Sequence, residues 1–228
     1  MKILLFAGPS IWGIGRPLPS GVELRAPAQA GDILAVIAGR PDAIALVDGV
    51  FGTAPSVWHK EILDALDAGI AVLGAASLGA LRAAELHSFG MEGVGAIFAA
   101  YAAGEIERDD AVVVAHAPAA FAFRPLSVAL VDAEHCIRQA GLPAAARFSL
   151  LRIARRMPFP LRTWEAMLAQ HPDGAEIGLL LRPHMASLKR ADVELLLQRL
   201  EQPLHPVSGG GRLVESKYYR EMRARVQS

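Results

Sequence analysis

Cysteine is almost missing from this chain of 228 residues, with Cys136 the single one. An intrachain disulfide is thereby excluded, and a reducing, cytoplasmic setting is the expectation. Cys136 lies within Glu134-His135-Cys136, inside a helical pattern. That favours a buried structural thiol over a catalytic one. Net charge is also missing: 23 basic side chains balance 23 acidic ones. Strong non-specific attraction to nucleic acid or to an anionic membrane is therefore not implied, and partners must be recognised by local surfaces. No apolar run approaches the roughly eighteen residues of a membrane span, so a soluble chain is expected. The apolar start Met1-Lys2-Ile3-Leu4-Leu5-Phe6-Ala7 stops at Gly8-Pro9-Ser10, too soon for a signal peptide, and reads as a first buried strand. Internal repeats, low-complexity tracts and metal-ligand spacings are absent, so neither a metal nor another cofactor is expected.

What the chain has is apolar residues, 53% of the total, enough for one sizeable core. Short apolar runs bounded by turn residues, at 43–47, 70–73 and 111–115, read as strands buried on both faces. Helical periodicity falls between them at 28–38, at the segment carrying Trp58, Ile62, Ala65 and Leu66, from Ser77 to about Leu86, and at 91–103. A short strand is read near 22–24. The fold class that follows is α/β, a mostly parallel β-sheet flanked by helices, with an all-helical C-terminal part. Its helices are expected at 126–140, 144–157, 161–170 and 185–200, with prolines marking the breaks. The organisation reads as a core with the site at 1–125, a helical part packed on it at 126–207, and a flexible hinge with a basic terminal segment at 208–228. The hinge is Ser208-Gly209-Gly210-Gly211. The segment after it is either a solvated helix or a partner-docking tail.

In an open parallel sheet, ligands bind beyond the carboxyl ends of the strands. That rim collects Asp48, Ser77, His116 and the loop Gly8-Pro9-Ser10, with Lys60 just inside a neighbouring helix. Ser77 sits between a strand and a helix, flanked by Gly74, Ala76 and Gly79. It suits a helix N-cap and equally a nucleophile with the amides of Leu78 and Gly79 behind it. Lys60 is a solvated helix residue paired with Asp64, or a base, which it can be only when neutral. Asp48 is a turn-former or a polar group of the site. His59 and His116 read as structural histidines. Asp109-Asp110 is expected as a loop pair at the far, amino end of its strand. The Gly8 loop could cradle an anion but has neither glycine-rich phosphate pattern.

Five blocks then carry a resemblance. Val47-Asp48-Gly49-Val50-Phe51, Val57-Trp58-His59-Lys60-Glu61-Ile62, Gly74-Ala75-Ala76-Ser77-Leu78-Gly79-Ala80-Leu81-Arg82-Ala83-Ala84-Glu85-Leu86, Phe89-Gly90-Met91-Glu92-Gly93-Val94-Gly95 and Asp109-Asp110-Ala111-Val112-Val113-Val114-Ala115-His116 follow in order and closely resemble the TfuA-like family. Ser77-Leu78-Gly79 stands where Ser-Met-Gly is usual, and Val128 where an acidic residue is usual. The resemblance implies a partner of YcaO enzymes, the ATP-using proteins that activate a peptide backbone amide, in thioamidation of ribosomal peptides or proteins. It implies hydrolysis of the thiocarboxylated C-terminus of a ubiquitin-like, ThiS-like sulfur carrier by a Ser-Lys dyad, mapped onto Ser77 and Lys60. Leu78 and Gly79 would hold the oxyanion. Arg82 would anchor the anionic carrier tail or pair with Glu85, and Asp48 and His59 complete the carrier-binding set. The small residues 74–80 would admit a glycine-rich tail. Partners are then a YcaO enzyme and a sulfur carrier, with no nucleic acid or membrane and with self-association open. Two other readings are a non-catalytic adaptor that recruits YcaO and its peptide, and a small-ligand or nucleotide-binding domain using the Gly8 loop.

Overall fold

The computed structural model describes residues 1–52, 54–205 and 216–227. Five strands form one parallel sheet: β1 (Ile3–Phe6), β2 (Val22–Arg25), β3 (Ala43–Leu46), β4 (Ala71–Ala75) and β5 (Glu92–Val94), in the order β2-β1-β3-β4-β5. β1, β3 and β4 are buried throughout, as short unbroken apolar runs require when helices cover both faces. Edge strand β2 is exposed for three of its four residues, and Arg25 meets Glu23 at 2.6 Å. Strand order reverses between β1 and β3. Beyond their carboxyl ends, the loop at Gly8 and the turn at Asp48 open the crevice that such sheets use for ligands.

One face is covered by α1 (Asp32–Ile37), α2 (His59–Asp67) and α3 (Leu78–Leu86), through Ile33, Ile62, Leu66, Ala83 and Leu86. The other is covered by α9 (Leu188–Leu200), through Val193, Leu196, Leu197 and Leu200. A further core joins α3 and α4 (Ala96–Ala102) to α5 (Leu130–Gln139), α6 (Ala144–Arg156), α7 (Trp164–Ala169) and α8 (Gly174–Leu181). The carboxylate of Asp192 on α9 accepts from the amides of Ala96 and Ile97, both at 2.8 Å, so a helix of the C-terminal part caps one of the sheet layer. Arg162, fully buried, donates to the carbonyls of Ala154 at 3.0 Å, Met157 at 2.9 Å and Val128 at 3.4 Å, and so terminates α6. Its surroundings push its pKa down, mainly by desolvation.

Helix α3 lies close to the sheet because two glycines let it. A Cβ on Gly79 would run into the carbonyl of Leu46, and one on Gly74 into the carbonyl of Gly79. Gly74 and Gly79 therefore serve helix-to-strand packing, a reason for their size other than room for a threaded tail. Gly79→Ala is expected to cost about 1–3 kcal/mol or more through forced displacement of α3, seen as a lower urea midpoint at unchanged slope.

Several expected elements differ. Residues 111–115 are not a strand: a 3-10 helix spans Asp109–Val112, and the Val112 carbonyl accepts from side chains rather than from a ladder. The edge position belongs to β5, which interrupts the helix expected at 91–103 and turns at Gly95, φ 96°. Helix α8 was not expected at all. The expected hinge at Ser208-Gly209-Gly210-Gly211 lies outside the described residues. After it comes α10 (Lys217–Gln227), whose buried Tyr219 donates to Asp64 at 2.8 Å and stacks on Trp58, so this segment packs back on α2.

Candidate active site

Above the carboxyl ends of β3 and β4 lies a cleft of about 570 Å³, bordered by Pro9, Asp48, Ser77, Leu78, Arg82, Asp109, Val112, His116, Phe159 and Lys189. Asp109 thus stands at the cleft and not at the far end of a strand, because residues 109–112 form a helical turn beside α3.

Ser77 is delivered by a tight turn. Ala76 takes φ 65°, in the left-handed region, while the Ser77 amide donates to the Ala75 carbonyl at 2.7 Å. A non-glycine residue held there stores about 1–3 kcal/mol of strain. The turn leaves Ser77 as N-cap residue of α3, yet its hydroxyl caps no amide. The Oγ instead makes a long bond, 3.5 Å, to the carbonyl of Val112. The same carbonyl accepts from Lys189 Nζ at 2.6 Å. Lys189 is 3% exposed and its Nζ lies 3.9 Å from Asp48 Oδ1. Asp48 in turn accepts from the amides of Gly8 at 2.8 Å and Ser10 at 2.9 Å, and from Ser10 Oγ at 2.6 Å. It is therefore both turn-former and site group: it fixes the loop after β1 and supplies the negative charge nearest Lys189.

Sequence reasoning missed Lys189. The signal was present, since positions 189, 193, 196, 197 and 200 share one face of α9, and a lysine in register with four apolar residues marks a buried cation. Lys60 is elsewhere. It borders an adjoining surface hollow with Pro55, Trp58 and His59, which shares Ser56 and Arg82 with the cleft, and its Nζ lies 5.6 Å from the centre of the Tyr219 ring. The structure does not bring it to the cleft that holds Ser77.

Of the two expected oxyanion donors, one is committed. The Gly79 amide donates to the Val47 carbonyl at 3.0 Å, whereas the Leu78 amide has no acceptor among the described residues. Leu78 at the head of α3 therefore leaves one donor, with the positive end of a nine-residue helix, in the wall of the cleft.

Arg82 reaches the cleft wall one turn on, but its guanidinium is held: Nε donates to Val57 O at 3.1 Å and NH1 to Glu85 Oε2 at 2.6 Å. His59 Nε2 meets the same carboxylate oxygen at 2.8 Å, outside the cleft. Burial would raise the Glu85 pKa, but His59 and Arg82 together outweigh it and hold it below the ordinary value of 4.5. A depressed carboxyl contributes stability that is whole above 4.5 and is lost as the pH falls through the folded-state value. The stability advantage of the parent over Glu85→Gln, read from urea melts, is therefore expected to shrink as the pH drops below 4.5. An advantage that does not change with pH would contradict this network.

His116 borders the cleft with Nδ1 2.9 Å from the Ala117 carbonyl oxygen, its ring edge-on to Phe123. Cys136 is buried, donates to Ala186 O at 3.1 Å, and has its pKa pushed up to about 11, mainly by desolvation. Among the described residues no group of three or more His, Cys, Asp or Glu side chains is placed to hold a metal ion, and no helix is long and apolar enough to cross a membrane.

A family model described as TfuA-like protein matches residues 48–163, which takes in the turn at Asp48, the Ser77 elbow and the Val112 carbonyl. No curated protein matches the chain.

Proposed function

The chain belongs to the TfuA-like family, and from that premise we propose that it hydrolyses the thiocarboxylated C-terminus of a ThiS-like sulfur carrier, supplying sulfide to a YcaO enzyme for backbone thioamidation. Ser77 is the nucleophile, and Lys189 is the base in place of Lys60. The observation that carries this reading is one carbonyl, Val112 O, gathering Ser77 Oγ and Lys189 Nζ in a cleft at the switch point of the sheet.

The chemistry follows from the contacts. The Ser77 bond to that carbonyl is long and the Lys189 bond short, so the hydroxyl is the group free to swing toward a substrate carbon. To act as base, the Lys189 ammonium that faces Asp48 first gives up a proton; the amine then takes the Ser77 proton as the Oγ–C bond forms. The Leu78 amide donates to the oxyanion. As the C–S bond breaks, the proton passes from Lys189 to sulfur, giving HS⁻ and an acyl-Ser77. Water then attacks the ester, Lys189 takes one of its protons and returns it to Ser77 Oγ, and the carrier leaves as a carboxylic acid that gives its proton to solvent and becomes an ordinary carboxylate. Arg82 at the cleft wall attracts the anionic tail while Glu85 keeps its fork aimed.

The adaptor reading keeps one observation of its own. Helix α6 exposes Arg147, Phe148, Arg152 and Arg156 and carries no acidic residue, a surface suited to an acidic partner, while Arg155 beside them pairs with Glu134. The two separate in one experiment. Ser77→Ala should abolish sulfide release from a thiocarboxylated carrier while YcaO binding, followed by calorimetry, stays at the parent level. Parent-like release by Ser77→Ala would remove the hydrolase reading and leave the adaptor.

A further inference from the structure

A second cavity, about 310 Å³, backs directly onto the catalytic cleft. The two share Pro9, Val114 and Lys189 in their walls, so Lys189 is the partition between them. The far side of the second cavity is bordered by Trp12, Ser127, Asp132, Trp164, Met185 and Arg190. Trp12 stands in the glycine- and proline-rich loop after β1 and is 44% exposed, which puts this cavity against the surface, whereas Arg82 and Phe51, of these two cavities, border only the first. The loop is held by Asp48, the same carboxylate that faces Lys189.

We infer that this second cavity is the passage by which water reaches the acyl-Ser77 and hydrosulfide leaves it. The inference rests on the hydrolytic reading above and adds a route to it. A carrier tail lying in the cleft blocks the front opening for as long as the acyl ester exists. Yet deacylation must admit one water, and acyl formation must discharge one HS⁻. The volume behind Lys189 is about ten times the share of one molecule in liquid water, so it has room for both small species. Its lining is mainly apolar, with a few polar groups that suit them. Ser127 Oγ accepts from the Ala115 amide at 2.8 Å and keeps a proton to donate, Arg190 offers positive charge to a departing anion, and Asp132, held by Ser187 Oγ and the Lys189 amide at 3.1 Å each, anchors the start of α9. Lys189, which hands the proton to sulfur, touches both compartments, so HS⁻ forms at the partition itself.

The test is to plug the passage without touching the dyad. Val128→Phe and Met185→Trp fill it from two different segments and leave Ser77, Lys189, Leu78 and Asp48 themselves unchanged. Each variant is assayed with a thiocarboxylated carrier, whose tail closes the front, and with p-nitrophenyl acetate, whose small acyl group leaves the front open to solvent. Carrier turnover is expected to fall about tenfold or more in both plugged variants, with ester turnover within about twofold of the parent. Equal loss on both substrates, or no loss on either, would overturn the passage. A parent protein that turns over neither substrate would instead overturn the hydrolytic reading, so the two failures are distinguishable.

Discussion

Lys189→Met is expected to lower sulfide release by roughly 10²- to 10⁴-fold, the usual contribution of a positioned base, while Lys60→Ala stays within about twofold of the parent. The two lysines have different surroundings. Lys189 is buried with its Nζ on the carbonyl that Ser77 also contacts, and Lys60 lies in another hollow beside Tyr219. Met keeps the aliphatic stem and removes the amine, so the packing of α9 on the sheet is largely retained. It also leaves Asp48 without the cation 3.9 Å away and Val112 O without its shorter donor, and some loss of stability should accompany the kinetic effect. Lys189→Arg is the control for that loss. It retains a cation near Asp48 but not a proton acceptor at neutral pH, so it should recover the melting temperature and not the activity. Recovery of both by arginine would mean that Lys189 acts through charge alone. The measurement is the initial rate of sulfide production from a thiocarboxylated carrier, with thermal melts of each variant alongside.

Arg162→Met is expected to destabilise the fold by about 3–5 kcal/mol, the scale for breaking a buried, hydrogen-bonded cation's network. Three carbonyls, those of Ala154, Met157 and Val128, lose their donor inside a closed part of the structure. They terminate α6 and tie it to the segment leading into α5, so the loss should appear as cooperative unfolding and not as a frayed end. The guanidinium was placed there against desolvation, which is why its pKa is pushed down. Removing the cation therefore relieves a cost as well, and an observed value near the lower end would reflect that relief. Equilibrium urea denaturation followed by circular dichroism and by Trp164 fluorescence checks it. A midpoint unchanged from the parent would show that the carbonyls find other donors.

The sheet was legible because its inner strands are buried on both faces, and that leaves unbroken apolar runs at Ile3–Phe6, Ala43–Leu46 and Ala71–Ala75. β5 was not, since Glu92-Gly93-Val94 is an edge strand of three half-buried residues with no apolar run to mark it. The valines at 112–114 misled for the opposite reason. They look like a buried strand but spend their burial on the cleft wall and on contacts with α5, and a side chain from α9 takes the carbonyl that a ladder would use. At the site, Ser77 and Asp48 could be placed because both follow strands directly, and strand ends converge on one rim by topology alone. Lys189 reaches that rim from the opposite face of the sheet, and no local spacing relates it to Ser77. Only its misfit on an apolar helix face could have given it away. Lys60 was the nearer lysine in sequence and in family block, but α2 begins at His59 with Trp58 as cap, which turns Lys60 toward Tyr219. Gly79 shows the reverse case. Its size is explained by the Leu46 carbonyl beneath it, so a small residue beside Ser77 was evidence about packing before it was evidence about substrate.

The central claim, that Ser77 is a nucleophile made reactive by Lys189, is tested most directly by covalent labelling. The protein is treated with a fluorophosphonate, digested, and mapped by mass spectrometry, in parallel for the parent, Lys189→Met and Lys60→Ala. The account predicts a single adduct on Ser77 in the parent and in Lys60→Ala, with the rate of labelling falling sharply in Lys189→Met. Labelling at another residue, or labelling of Ser77 that is indifferent to Lys189 and lost with Lys60, would contradict it.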